Sequence, residues 1–159
     1  MHIFSDLEGI RIAIEMEKRG EAFYRRAARV SRSEETIAML NVLAADETNH
    51  RAEFERLYRN EGGTLSSSAY NEETNAYLSA IAAEFIFPEG LMALRSVGFE
   101  NPGAVLQDAI KSEKDSILFY TELSGHTADV HARDVFSEII RQERGHLYRL
   151  QRQLEAISE

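Results

Sequence analysis

The chain has no cysteine, only two prolines, and nine glycines among its 159 residues. Without cysteine it can form no disulfide, zinc–thiolate site, iron–sulfur cluster or thiol nucleophile, so any metal must rest on nitrogen and oxygen ligands. With so little proline and glycine, and few β-branched alternations, nothing interrupts helices for long, and the class expected is all-α. No apolar run approaches the roughly 18 residues of a membrane span. The opening MHIFSDLEGI also lacks the basic start and apolar stretch of a signal peptide, so the expected location is cytoplasmic with no membrane partner. Positive charge is scarce as well: 18 Lys and Arg against 27 Asp and Glu leave a net charge of −9. Such a surface repels phosphate backbones, which argues against nucleic acid, and gathers cations.

A hydrophobic content of 43% is enough for one sizeable core, and residues 1–159 are expected to form a single domain. Helical periodicity divides it into two hairpins, 5–60 and 101–158, joined by a crossover over 61–100. The first helix starts at Ser5 or Asp6, carries Ile10, Ala13, Ile14, Tyr24, Ala27 and Ala28 on one face, and ends near Ser31. The second starts near Ser33, with Ser31 and Glu34 offering a capping box. Its stripe is Ile37, Leu40, Leu43, Ala44, Phe54, Leu57 and Tyr58, and Asn60, Gly62 and Gly63 mark its end. Asn101-Pro102 opens the third helix, whose stripe is Leu106, Ala109, Ile110, Ile117 and Tyr120, with Gly125 helping to stop it. The fourth starts near Asp129 and turns Phe136, Ile139, Ile140, Leu147, Leu150 and Leu154 inward.

The crossover is far longer than the roughly 2–8 residues that join neighbouring antiparallel helices, so it can run from one end of a bundle to the other. Tyr77, Leu78, Ile81, Ala82 and Phe85 predict a short amphipathic helix within it, broken by Pro88. Phe85, Phe87, Leu91, Met92 and Leu94 either cap the bundle end or form the contact of a homodimer, the oligomer expected.

Sliding the sequence on itself by 96 residues superposes Ala13, Ile14, Glu17, Lys18, Phe23 and Tyr24 on Ala109, Ile110, Glu113, Lys114, Phe119 and Tyr120. The same shift pairs Glu47, His50 and Arg56 with Glu143, His146 and Arg152, nine identities in the 44 positions from Ala13 to Arg56. Each hairpin is one copy of a unit too small to bury its own apolar face. Glu17 and Glu113 continue the apolar stripes of their helices, so both carboxylates point inward. Glu47 and His50, three residues apart, share a face with Leu43 and Phe54; Glu143 and His146 share one with Ile139 and Leu150. Glu17 and Glu47 are each 15 residues from position 32, and Glu113 and Glu143 are each 15 from position 128. At a rise of about 1.5 Å per residue, all six groups come level when the hairpins pack face to face.

Four inward carboxylates must be protonated, paired or bound to metal, because an uncompensated buried charge costs on the order of several kcal/mol. Only Arg51, at an edge, offers a nearby cation. The pattern of one Glu from each of two helices and one Glu-x-x-His from each of the others is the di-metal carboxylate arrangement of helical bundles. Two ions about 3.5–4 Å apart are expected among the six groups, the spacing of coupled two-metal sites.

The segments AIEMEKRGEAFY, DETNH, AIKSEKDSILFY and QERGH resemble the four helices of the rubrerythrin branch of the ferritin-like superfamily, over about 120 residues. The resemblance implies a ferritin-like four-helix bundle with Glu17, Glu47, His50, Glu113, Glu143 and His146 as metal ligands. It further implies Glu47 and Glu143 as the bridging pair, and Tyr24 and Tyr120 beside the site. Two departures stand out. Rubrerythrins add a four-cysteine rubredoxin domain, which this chain lacks, and a further glutamate where it has Ser116.

Asp46 and Gln142 precede the two shared glutamates and either orient the free nitrogen of a histidine or lie exposed. His2, His126 and His131 fall near a terminus or a turn and are expected in solvent, as are Arg25, Arg26 and the arginines from Arg149 to Arg152. Mixed carboxylate and imidazole ligation suits two iron ions, with manganese or a mixed Fe/Mn pair as alternatives. The expected activity is redox chemistry with O2 or peroxide, as a ferroxidase or in peroxide reduction, fed by an unknown electron donor. A non-catalytic iron-handling module and a metal-stabilised structural bundle are the alternatives.

Overall fold

The structure is a computed structural model and describes residues 2–59, 63–86 and 101–158, except the side chains of 84–86 and 158. Those residues form five helices: α1 (Asp6–Val30), α2 (Glu34–Arg59), α3 (Glu72–Ile86), α4 (Pro102–His126) and α5 (Val130–Ser158). No strand occurs among them, and no helix is long and apolar enough to cross a membrane.

Short polar residues set the helix starts by accepting the first free backbone N–H groups. Ser5 accepts from Glu8 and Asn101 from Ala104, the latter with Pro102 in the first turn, where its missing N–H costs nothing. Asn71 opens α3 and Asp129 opens α5, each by a 2.8 Å bond, to the N–H of Thr74 and of Ala132. Ser33, not Ser31, caps α2 by accepting from Thr36; Ser31 instead closes α1, its N–H bonded to Ala27. Gly125 lies inside the last turn of α4, and the extended Thr127 ends that helix.

The long helices pack as two hairpins, α1 with α2 and α4 with α5, with α1 facing α4 and α2 facing α5. Side-chain pairs fix the directions. Tyr24 bonds to Glu113 while Tyr120 bonds to Glu17, so α1 and α4 are antiparallel. Asp46 meets His146 while Gln142 meets His50, so α2 and α5 are antiparallel too. It follows that α2 and α4 run in the same direction, and the chain between them must travel the length of the bundle. This is the ferritin-like arrangement expected, with its crossover.

Residues 63–75 begin that journey across one bundle end. Asp129, at the start of α5, accepts from the backbone and hydroxyl of Thr64, both at 3.0 Å. Asp6, at the start of α1, accepts from Ser66 N–H at 3.0 Å and from the Tyr70 hydroxyl at 2.5 Å. The crossover helix α3 then packs against α1 and α4. It starts five residues earlier than its apolar stripe implied, because Asn71 supplies a cap. Leu78 and Ala82 are buried, but Tyr77 is 43% exposed because Leu78 takes the inward position beside it. Tyr58 is likewise 44% exposed, since Leu57 faces the core and successive helical residues are about 100° apart. Phe87, Pro88, Leu91, Met92 and Leu94 lie outside the described residues, as do Asn60 and Gly62.

Two apolar clusters fill the bundle. One, toward the 63–75 end, contains Phe4, Met16, Phe54, Leu78, Phe119 and Phe136. The other, toward the opposite end, contains Phe23, Leu40, Leu43, Leu106, Ile110 and Leu150. On each of the four long helices the inward polar residues fall between these clusters.

Candidate metal centre

Glu17, Glu47, His50, Glu113, Glu143 and His146 are all buried, and Glu143 is completely inaccessible. The turns 31–33 and 127–129 are centred on positions 32 and 128, which puts the ligand levels of each hairpin in register. The six side chains form two overlapping quartets: Glu17, Glu47, His50 and Glu143 in one; Glu47, Glu113, Glu143 and His146 in the other. Within each quartet the candidate ligand atoms lie within 4.8 Å of one another. Only Glu47 and Glu143 belong to both.

Glu143 spans the two quartets with separate oxygens. Its Oε1 is 2.7 Å from His50 Nδ1 and its Oε2 is 3.5 Å from His146 Nδ1. Glu47 reaches across with one oxygen, 3.7 Å from His50 Nδ1 and 3.2 Å from His146 Nδ1. Glu17 and Glu113 each stay on one side, 3.5 Å from His50 and 3.3 Å from His146 respectively. The imidazoles lie nearly parallel, with ring centroids 5.8 Å apart.

The groups around the cluster hold it in this form. The Tyr120 hydroxyl donates to Glu17 Oε1 at 2.7 Å, and the Tyr24 hydroxyl donates to Glu113. His50 Nε2–H donates to Gln142 Oε1 at 2.7 Å, and His146 Nε2–H donates to Asp46 Oδ2 at 2.9 Å. Asp46 and Gln142 therefore orient the histidines, each across to the opposite hairpin. Because the outer nitrogens carry those donated protons, both Nδ1 atoms can turn a lone pair inward. Arg51 stands apart, pairing with Glu21 and Glu55.

Gly20 was not among the residues that sequence patterning picked out. A Cβ built on it would fall 2.5 Å from Glu47 Oε2, so the absent side chain is the space that this carboxylate occupies. It lies three residues after Glu17, and the 96-residue shift aligns it with buried Ser116. Of the remaining histidines, His126 and His131 are exposed as expected. His2 is half-buried instead, bonded to Glu8 and set edge-on to Phe4.

Crowding four carboxylates in an apolar core distorts their protonation. Burial and repulsion from Glu143 push Glu17, Glu47 and Glu113 above the usual carboxylate range, Glu47 and Glu113 by far the most. Burial acts on Glu143 in the same direction, but hydrogen bonds from Glu113 and both imidazoles overcome it and hold Glu143 well below that range. Burial opposes the charged form of the imidazoles, yet their carboxylate neighbours raise His50 to about 11 and His146 to about 10. Without metal the cluster is thus a proton store, with Glu143 as its anion.

Even so, protons leave the cluster unsatisfied. Glu17 Oε2, Glu47 Oε1, His50 Nδ1, Glu113 Oε2 and both oxygens of Glu143 are buried with no well-formed hydrogen bond. Orphaned buried atoms of this kind are costly and call for an explanation. Two divalent cations fit them: four carboxylates and two neutral imidazoles balance their charge, and each ion would find one quartet of ligand atoms.

The chain matches the family model described as rubrerythrin over residues 8–154. Two solved structures share its fold. One is a protein from Thermotoga maritima described as ferritin-like and diiron-carboxylate, with TM-score 0.69 and 23% identity over 98% of this chain and 97% of that one. The other is a hypothetical protein from Pyrococcus furiosus, with TM-score 0.67 and 21% identity over 96% of this chain and 89% of that one. No curated protein matches the chain.

Proposed function

The chain belongs to the rubrerythrin family, and from that premise we propose that its buried centre binds two iron ions and performs redox chemistry on O2 or peroxide. The observation that carries this reading is the crowding of Glu17, Glu47, His50, Glu113 and Glu143 in the core, with six of their buried polar atoms lacking a well-formed hydrogen bond. Two adjacent iron ions, when bound there, would supply two electrons to an oxygen species.

The residues have distinct tasks. Glu47 and Glu143 belong to both quartets and are assigned as shared ligands; Glu17 with His50 and Glu113 with His146 complete the two ends. Tyr120 and Tyr24 fix the outer carboxylates by donating to them. Burial and the adjacent carboxylates raise both phenols well above their ordinary range, so each O–H stays in place as a hydrogen-bond donor at neutral pH. The apolar clusters above and below exclude bulk water, which strengthens every charge interaction within. These 159 residues hold no cysteine for an iron–sulfur or rubredoxin-type relay, so the electron donor is assigned to a group outside them. The working unit is assigned as a cytoplasmic homodimer, which light scattering at micromolar concentration would test. Manganese in one or both positions is the second metal assignment.

Loading the metal-free protein with Fe(II) without oxygen, then mixing it with O2 or peroxide, tests the proposal. The expected result is consumption of oxidant in proportion to the two irons, with appearance of ferric absorption. Bound iron that consumes neither oxidant would make the protein an iron-handling module instead. Failure to bind either iron or manganese would remove the metal reading altogether.

A further inference from the structure

We propose that the two metal positions are unequal and fill in order, the one beside His146 before the one beside His50, because Asp46 and Gln142 break the internal likeness of the centre. This inference rests on the di-metal reading of the cluster. Inside, the two positions are nearly alike: each has one unshared glutamate, one imidazole and the two shared glutamates. The difference lies one bond further out.

On one side, His146 Nε2–H donates to the carboxylate of Asp46 at 2.9 Å. On the other, His50 Nε2–H donates to the amide oxygen of Gln142 at 2.7 Å. The second bond is slightly shorter, but its acceptor is neutral, and hydrogen bonds to an ionised acceptor are roughly twice as strong as neutral ones. A carboxylate drawing on the outer N–H pushes electron density toward Nδ1 and makes it the better donor to a cation. The charge itself adds attraction. The Asp46 side chain is one-third exposed, so solvent screens part of that attraction, while the direct hydrogen bond to His146 Nε2–H stays in place at 2.9 Å.

The Gln142 side gains no compensating charge. Gln142 Nε2–H donates to Glu138 Oε1 at 3.0 Å, and Glu138 is an exposed carboxylate already held by Arg141 at 2.6 and 3.1 Å. The outer chain behind His50 is therefore neutral in sum, whereas the one behind His146 carries a full negative charge. Asp46 and Gln142 are related by the same 96-residue shift as the ligands, so the repeat has kept its ligands and changed the partner behind one histidine.

The test uses the full metal-free chain and Co(II), which binds such ligands without reacting with oxygen. At one equivalent per chain, anomalous scattering from wild-type crystals should place most cobalt among Glu47, Glu113, Glu143 and His146. Calorimetry should resolve two steps separated by about tenfold or more. Asp46→Asn, which keeps shape and loses charge, should weaken the tighter step by about 10–100-fold and even out the two positions. Asp46→Asn combined with Gln142→Glu should move the first cobalt to the His50 position. Equal occupancy in the wild type, or an order unchanged in the double variant, overturns the proposal. Failure of wild type to bind either Co(II) or Fe(II) would instead overturn the di-metal reading beneath it. The wild-type occupancy decides the matter even if a variant folds poorly.

Discussion

The hairpin α1–α2 and the hairpin α4–α5 supply the same three ligand types at the same spacing, yet they do not make the same surroundings. Glu47 comes from the first and Glu143 from the second, related by the repeat, and both reach both imidazoles. Glu47 is driven toward its protonated form, while Glu143 is held as an anion by the imidazoles and by Glu113. Three residues after the first glutamate, one copy has Gly20, whose space Glu47 fills, and the other has Ser116. A duplicated backbone thus fixes where ligands stand, and local neighbours decide what charge each one carries.

The largest test of that difference is to neutralise each shared glutamate in the metal-free protein. Glu143→Gln leaves two buried imidazolium groups without their anion and should cost roughly 3–5 kcal/mol, the scale of breaking a buried ion pair from one side. Glu47→Gln substitutes a neutral amide for a carboxyl that burial and its carboxylate neighbours already drive toward its neutral form, and should change stability by no more than about 1 kcal/mol. Both should abolish paired metal binding. Denaturant melts of the chelated proteins check the contrast, and equal losses would contradict it.

The next largest effect is at Gly20. Alanine there should favour the helix by up to about 1 kcal/mol, but its Cβ displaces the Glu47 carboxylate, so metal affinity should fall by about tenfold or more. Ser116→Ala, at the equivalent position of the other copy, should leave the affinity close to that of wild type. Paired melting and metal titrations separate the two outcomes; a Gly20→Ala protein that binds metal normally would show that Glu47 has room elsewhere.

Smaller still are the tyrosines. Tyr120→Phe and Tyr24→Phe each remove one hydrogen bond to a buried carboxylate and should each cost about 1–2 kcal/mol. Chemical denaturation would show it, and no loss in either variant would mean that water replaces the hydroxyl.

The last effect is a slope, spread over several pH units. The raised carboxyls begin from an unfolded value of 4.5, while the imidazoles rise from 6.5 to about 11 at His50 and about 10 at His146 in the folded chain. Between 4.5 and about 10 the folded metal-free cluster therefore binds more protons than the unfolded chain. Stability from these groups should decline as pH rises through that window. Metal uptake should in turn release protons, including those of the two imidazoliums, and so strengthen with rising pH. Melts at several pH values and proton counting during metal titration check both signs.

The bundle and the six inward groups were legible because helical periodicity reports which face is buried and the repeat reports what is duplicated. Glu17 and Glu113 stood out because a carboxylate in an apolar stripe breaks the pattern. Gly20 did not stand out, since its contribution is empty space and emptiness has meaning only once Glu47 is in place. The roles of Asp46 and Gln142 were open for a similar reason: each serves a histidine about 100 residues away, on a helix whose register only packing sets. Tyr58 and Tyr77 misled because an apolar stripe at 100° per residue tolerates either of two adjacent residues inward, and Leu57 and Leu78 took those places. Ser33 replaced Ser31 as the cap because the connecting turn is only three residues long and Ser31 is needed to close α1.

The central claim, that the six buried groups exist to hold a pair of metal ions, is tested most directly by anomalous scattering at the iron edge from crystals grown with excess Fe(II) under anaerobic conditions. The account predicts two peaks per chain, one among Glu17, Glu47, His50 and Glu143 and one among Glu47, Glu113, Glu143 and His146. A filled crystal showing a single peak, or iron bound only outside these six residues, would contradict it.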